Sequence, residues 1–239
     1  MNKQASFSNK KTARIAGLLY LVVVLTGIFS LAYVPSKLIV WDNAPATVLN
    51  IKTAEFLFRL GIVSSLVCYT FFLFLPLALY RLLKTVNGNC AKLMVILAVI
   101  SVPVSFVNVL NKFAVLNLVG DDSYLKVFTN DQLQAQVMFY LNLYNSGILI
   151  LKIFWGLWLF PFGYLVFKSG FLPKILGILL MAGCVGYLLD FSGAMLLPHY
   201  DAMGISSFIR LPASIAEIGT CFWLLIMGAK ESPTGKITA

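Results

Sequence analysis

Six long apolar segments alternate with short polar connections along this chain. Each is close to or longer than the roughly 20 residues that a helix needs to cross the hydrocarbon of a bilayer. The segments are residues 15–33, 56–80, 93–118, 132–167, 175–197 and 206–228. The fourth is longer than a bilayer requires, so its first turns are expected to stand outside the membrane. The pattern predicts an all-α protein with six transmembrane helices.

Two of the connections contain start signals for helices. Asp42 or Asn43 can cap a short helix, because a proline at position 45 is tolerated in a first helical turn. Residues 129–131 (Thr-Asn-Asp) offer N-cap side chains to the long fourth segment. We therefore expect one bundle of six transmembrane helices, with short surface helices in the first and second outer connections.

The composition agrees with a membrane protein. Of 239 residues, 60% are hydrophobic and only 11% are charged, and the mean hydropathy is +0.90. A soluble domain carries about 25% charged residues. We assign residues 1–230 to one transmembrane domain and residues 231–239, which are polar, to a flexible cytoplasmic tail.

The loop charges are distributed unevenly, and this predicts the orientation. One set of connections holds the basic residues Lys3, Lys10, Lys11, Arg14, Arg81, Lys84, Lys92, Lys168, Lys174, Lys230 and Lys236 against the single acid Glu231. The other set holds Lys37, Lys52 and Lys126 against Asp42, Asp121, Asp122, Asp131 and Asp201. Basic connections remain in the cytoplasm, so both termini are expected there. The net charge of +9 thus reflects membrane orientation and does not indicate nucleic-acid binding.

Polar and small residues inside four of the segments recur at steps of three, four or seven positions, which places them on one helical face. These faces carry Ser101, Ser105, Asn108 and Lys112; Asn142, Asn145, Lys152 and Gly156; Gly183, Gly186, Asp190 and Gly193; and Arg210, Ser214, Glu217 and Cys221. Lipid solvates charge poorly, so we expect these faces to point into the bundle or into a water-filled cavity. The candidate polar-core or ligand-binding residues are Arg59, Asn108, Lys112, Asn142, Asn145, Lys152, Asp190, Arg210 and Glu217.

Lys152 and Glu217 both lie near the middle of their segments. Two opposite charges at that depth can remain ionised if they pair and receive further hydrogen bonds. We therefore predict that they interact directly or through water, with Asp190 as an alternative partner for the lysine. Asn145 and Ser214 lie on the same faces and are predicted to supply the additional hydrogen bonds.

Four stretches together resemble one bacterial family. They are KKTARIAGLLYLVVVLTGIFS, EFLFRLG, KSGFLPKILGILL and the LPASIAEIG–WLL–G pattern of the last segment. The family is the uncharacterised membrane family called domain of unknown function 4386. The resemblance covers nearly the whole chain and implies a multi-helix protein of the bacterial cytoplasmic (inner) membrane, without implying an activity.

No catalytic, cofactor or metal site is predicted. His199 is the only histidine, which excludes bis-histidine haem ligation within the chain, and GxSxG, HExxH and P-loop motifs do not occur.

One hypothesis is a protein that binds or transports a small polar or amphiphilic ligand, or a lipid, through an outer-facing polar cavity. The alternative is a non-catalytic scaffold or partner subunit, acting on another membrane protein or as a homo-oligomer. In that alternative the buried ion pairs are structural, small residues mediate packing, and Arg59 and Arg210 extend to the headgroups.

The orientation can be tested with reporter fusions. A fusion at Asn87 should be active only with a cytoplasmic reporter, and one at Asp122 only with an external reporter, because the loops around these sites have opposite charge bias. Fluorescent-protein and alkaline-phosphatase fusions measure the two sides. Equal cytoplasmic activity at both sites would contradict the assignment.

Overall fold

The computed structural model describes residues 3–229, with the side chains of residues 3–9 and 201–202 left out. Its α-helices are α1 (Lys3–Ile28), α2 (Val34–Leu38), α3 (Ala44–Thr53), α4 (Glu55–Leu83), α5 (Gly88–Leu118), α6 (Asn130–Leu157), α7 (Leu159–Ser169), α8 (Lys174–Leu196) and α9 (Ile205–Ile226). Within the described residues, six helical stretches are long and apolar enough to cross a membrane. The predicted all-α fold with six spans is confirmed. The tail of residues 231–239 lies outside the described part.

The first span is longer than the sequence predicted. A π-helical turn, Phe29–Tyr33, joins α1 to α2, so the helical stretch continues to Leu38. The cause is Pro35, which lies at the start of α2 and has no N–H to donate. The backbone accommodates it by widening the preceding turn, and the N–H of Val34 bonds to the carbonyl of Phe29.

The two predicted start signals are confirmed. The side chain of Asn43 accepts a hydrogen bond of 2.9 Å from the backbone N–H of Ala46 and so caps α3. At the start of α6, the Thr129 hydroxyl accepts from the N–H of Gln132, whose side chain accepts from the N–H of Thr129. Helix-capping signals of this kind depend only on residues within one turn, so they can be recognised in a single sequence. The connection between α5 and α6 also contains a 3₁₀ turn, Ser123–Val127.

The fourth span is the longest, as expected. Helices α6 and α7 follow each other through Trp158 and form a 40-residue stretch from Asn130 to Ser169. It ends at Gly170, whose φ of +73° is favourable for glycine and terminates the helix.

By contacts the chain divides into two compact units. The first unit comprises Met1–Leu21, Phe72–Ser101 and Lys152–Ala239, and the second comprises Val22–Phe71 and Val102–Leu151. In the first, the ring of Trp158 packs on Phe72 and Phe162. In the second, Ser64 donates to the carbonyl of Thr26, which attaches α4 to α1.

Glycines allow the helices of the first unit to approach closely. A Cβ on Gly177 would lie 2.6 Å from the carbonyl oxygen of Gly163, and one on Gly183 would lie 2.7 Å from the Cβ of Ala213. A Cβ on Gly186 would overlap the carbonyl oxygen of Ile209. Small residues at such contacts are typical of membrane helix packing. Helix α8 is therefore packed against α7 on one side and α9 on the other.

Substitution of Gly186 should show this constraint. Gly186→Ala is expected to destabilise the protein by about 1–3 kcal/mol, because the added methyl meets backbone that cannot rotate away. Gly88→Ala is the matched control, because nothing lies within 4 Å of its Cβ position. Thermal unfolding in detergent measures both variants. Equal unfolding temperatures for the two would contradict the close α8–α9 contact.

Candidate functional site

The nine candidate residues fall into the two units. Lys152, Asp190, Arg210 and Glu217 belong to the first unit, and Arg59, Asn108, Lys112, Asn142 and Asn145 belong to the second.

Asp190 is the centre of the polar network in the first unit. Its side chain is 0% exposed, and its Oδ2 lies 2.8 Å from Nζ of Lys152 and 3.5 Å from Nε of Arg210. The hydroxyl of Tyr200 donates to Oδ1 at 3.2 Å. A carboxylate from α8 thus binds cations from α6 and α9, as a buried charge requires.

Small residues bring these groups together. A Cβ at Gly193 would overlap the ring of Tyr200, so glycine lets the tyrosine reach Asp190 from the turn after α8. A Cβ at Gly156 would lie 2.8 Å from the Cβ of Tyr187, so α6 and α8 are in direct contact one turn beyond Lys152. The glycines predicted on these faces therefore position the charges.

Lys152 and Glu217 were predicted to interact directly or through water, and the direct pair is wrong, whereas the alternative pairing of Lys152 with Asp190 is confirmed. Lys152 binds Asp190, the alternative partner, and Glu217 accepts a hydrogen bond of 3.1 Å from the hydroxyl of Tyr20. The physical reason is the contact of α6 with α8 at Gly156, which directs the lysine to α8 and away from α9. The predicted pair was based on the similar position of Lys152 and Glu217 along their segments, but similar positions do not show which helices are neighbours.

The two predicted helper residues have other surroundings. Ser214 donates to the carbonyl of Arg210 on its own helix, at 3.3 Å, and not to Glu217. Asn145 is exposed, and it lies in the second unit whereas Lys152 lies in the first.

Tyr20 was missed by the sequence analysis. It is 2% exposed on an otherwise apolar stretch of α1, and only its hydroxyl marks it as a polar residue. Its helix packs on α9: a Cβ at Gly17 would lie 2.7 Å from the backbone nitrogen of Leu225, and Cys221 Sγ lies 3.7 Å from the carbonyl of Gly17. A glycine one turn before a tyrosine was the available signal.

Lys112 is the buried cation of the second unit. It is 5% exposed, and its Nζ lies 4.2 Å from the centre of the Tyr144 ring, 3.4 Å from Oγ of Ser65 and 3.5 Å from the carbonyl of Ser30. Among the described side chains no carboxylate lies within 4.0 Å of it. The aromatic face and the two oxygens stabilise this desolvated ammonium group.

Asn108, one turn before Lys112, belongs to the same buried face. Its Nδ2 donates to the carbonyl of Tyr144 at 2.9 Å, and its amide fills the space that a side chain at Gly147 would need. The face predicted for this helix is buried along its length, with Ser101 0% and Ser105 1% exposed.

The other three candidates lie on the surface of the second unit. Arg59 pairs with Glu55 on its own helix at 2.6 Å, and 56% of its side chain is exposed. Asn142 is exposed and donates to the carbonyl of Met138, and Asn145 is exposed as well. The structure does not bring these three residues into either buried network, and a role for them in binding stays a prediction.

A double-mutant cycle tests the pairing of Lys152. Lys152→Met and Asp190→Asn should each cost about 3–5 kcal/mol, because each leaves a buried charge without its nearest partner. The double variant should cost less than the sum, with a coupling of about 0.5–3 kcal/mol. Unfolding by SDS in mixed micelles measures these losses. Lys152→Met with Glu217→Gln is the comparison, and a larger coupling there than with Asp190 would contradict the observed pairing.

Comparison with known proteins places the chain in a family. No solved structure matches it. An uncharacterized protein of Archaeoglobus fulgidus is 38% identical over 80 residues, which cover 34% of this chain and only 45% of that protein's length. The model of the family described as domain of unknown function (DUF4386) matches residues 15–228. The resemblance seen in the sequence is thereby confirmed, and the chain belongs to the DUF4386 family.

Proposed function

We propose that the protein binds or transports a small polar or amphiphilic ligand through a polar cavity that opens to the outer face of a bacterial cytoplasmic membrane. In this proposal both termini lie in the cytoplasm, as the loop charges predict. The cavity belongs to the first unit and is lined by Arg210 and the residues that follow it on the same face of α9. A chemical reaction is not part of this proposal.

The ion network around Asp190 carries the proposal. Asp190 is completely buried, yet Arg210, one of its two cations, keeps 38% of its side chain exposed. The network therefore extends from the protein interior to the exposed surface of α9, a membrane-spanning helix. Buried ion pairs contribute little net stability, whereas ionisable groups inside membranes commonly mark ligand or ion pathways.

The polar face of α9 continues from Arg210 toward the middle of the helix. Ser214, one turn further, is exposed, and Glu217 is half-buried beside Tyr20. Apolar residues such as Ile215, 55% exposed, occupy the neighbouring face of the helix. A polar strip beside an apolar face is expected where a helix borders water on one side and lipid on the other.

A second candidate is a scaffold that packs against another membrane protein or a second copy of the chain. The close glycine contacts of α8 with α7 and α9 favour it, because they leave helix α8 little room to move. In this alternative the Asp190 network fixes which helices are neighbours, and the exposed part of Arg210 contacts lipid headgroups.

Cysteine accessibility distinguishes the two candidates. In a background with Cys68, Cys90, Cys184 and Cys221 replaced by alanine, Ser214→Cys should react with small membrane-impermeant methanethiosulfonates added outside. The reagents attack the thiolate, which requires water at the site. Ile215→Cys is the matched control, because its side chain lies one position away and should face lipid. Modification measured by mass spectrometry should be fast at position 214 and slow at position 215.

Protection of both cysteines from the reagents would reject the cavity and leave the scaffold. Equal reaction at both positions would show that α9 is wetted on all sides, which also contradicts a cavity lined by its polar face. Each variant must first keep the unfolding temperature of the cysteine-free protein.

A further inference from the structure

From the charges around Asp190 we infer that the ligand carries an anionic group of the carboxylate or phosphate type, which binds to the guanidinium group of Arg210. This inference rests on the cavity proposed above and specifies the chemical class of its ligand.

The charge balance at Asp190 favours an anion. Two cations, Lys152 and Arg210, bind one carboxylate oxygen, at 2.8 and 3.5 Å. Glu217 lies seven residues, or about 10 Å along the helix, from Arg210 and is hydrogen-bonded to Tyr20, so it opposes the cations less than a carboxylate in contact with them would. Within 4 Å of Asp190, the described side chains therefore hold one positive charge in excess. In a medium of low dielectric constant such a charge attracts an anion strongly.

The geometry of Arg210 leaves its binding groups available. Its Nε is directed to Asp190 and to the carbonyl of Ser206, 3.3 Å away. These two acceptors fix the base of the guanidinium group, while no described side chain or carbonyl accepts a hydrogen bond from its two terminal nitrogens. An oriented guanidinium with free terminal N–H groups matches the paired oxygens of a carboxylate or phosphate.

Lys152 and Arg210 differ in their electrostatic roles. It is only 17% exposed and lies nearer to Asp190, so it neutralises most of the charge of that carboxylate. With its charge largely compensated by the lysine, Asp190 repels an incoming anion less than an unpaired carboxylate would. The uncompensated positive charge therefore lies mainly on Arg210, which is the more accessible of the two cations.

Arg59 is the natural comparison, because it is also an arginine on a spanning helix. Its Nε lies 2.6 Å from Glu55, so its charge is matched by a carboxylate of its own. It belongs to the second unit and is exposed. Because Glu55 already compensates its charge, Arg59→Gln serves as the comparison variant for Arg210→Gln.

Two sources can supply the anion, a soluble compound or the headgroup of an anionic lipid. Both present the same oxygen pair to Arg210, so their recognition chemistry is shared. Inorganic phosphate serves as the probe for the soluble source, and phosphatidylglycerol serves as the probe for the lipid.

The first measurement is the charge preference of the site. The Ser214→Cys protein in phosphatidylcholine nanodiscs is treated with anionic sulfonatoethyl or cationic trimethylammonioethyl methanethiosulfonate. The ratio of the anionic to the cationic rate constant should exceed the same ratio at Ser36→Cys by about tenfold or more, because a positive cleft concentrates anions. Ser36 is an exposed reference position beside the single surface cation Lys37.

Adding Arg210→Gln should bring this ratio down to the reference value, and adding Arg59→Gln should leave it unchanged. The pair of Lys152 with Asp190 remains in the Arg210→Gln variant, and an unchanged unfolding temperature verifies its fold. A ratio at position 214 that equals or falls below the reference, with Arg210 intact, would overturn the anionic class while the cavity itself stands. Lack of reaction with both reagents would overturn the cavity and this inference together.

The second measurement is protection by the two probes. Inorganic phosphate, at constant ionic strength set with chloride, or phosphatidylglycerol in the nanodisc should slow modification of Ser214→Cys by uncharged methyl methanethiosulfonate. Protection by phosphate assigns a soluble anion, and protection by phosphatidylglycerol assigns a lipid headgroup; both support the inference if Arg210→Gln abolishes the protection and Arg59→Gln does not. Protection by neither probe, or protection that survives Arg210→Gln, would overturn it.

Discussion

The carboxylate of Asp190 is wholly removed from the surface, and it can remain ionised there only while cations lie against it. This requirement couples three helices, because the carboxylate comes from α8 and its two cations come from α6 and α9. The helices meet closely enough only because glycines on α6 and α8 leave room for the neighbouring backbone. Packing and electrostatics in this unit are therefore one constraint: a bulkier residue at the contacts would also separate the charges.

The second unit stabilises its buried charge by another route. Lys112 has an aromatic ring and two oxygens around it in place of a carboxylate. Such an environment provides partial negative charge without a group that itself needs neutralisation, and cation–π contacts strengthen when water is excluded. Among the described residues, the first unit thus has a buried site built on ion pairs, and the second has a buried site built on dipoles and an aromatic face. In the first, one cation of the site, Arg210, also reaches an exposed surface.

The sequence predicted the features of the fold that depend on neighbouring residues. The six spans follow from the lengths of apolar segments, and the caps at Asn43 and Thr129 follow from residues within one turn. The buried face of α5 followed from the spacing of Ser101, Asn108 and Lys112.

What the sequence could not provide is which helices are neighbours. Periodicity assigned Lys152 and Glu217 to polar faces at similar depth, but their partners are Asp190 and Tyr20, on helices whose proximity no spacing encodes. Tyr20 also lacked any periodic polar companion on α1, so its hydroxyl was not distinguished from that of an interfacial aromatic residue. The glycines at positions 17 and 156 marked the correct contacts, yet a glycine indicates close approach without indicating what approaches.

The π-helical turn before Pro35 has a consequence for the distant lysine. In a regular helix the carbonyl of Ser30 would accept from the N–H of Val34, but that N–H bonds to Phe29, and the next residue, Pro35, has no N–H to offer. The backbone oxygen of Ser30 is therefore left without its usual helical donor while buried, and it faces the ammonium group of Lys112 at 3.5 Å. A single imino acid in the first span thereby creates an acceptor for a cation on the third. Pro35 and Lys112 are thus coupled through the carbonyl of Ser30. Replacing Lys112 would leave this buried carbonyl without the donor, whereas replacing Pro35 would restore a backbone N–H that competes for it.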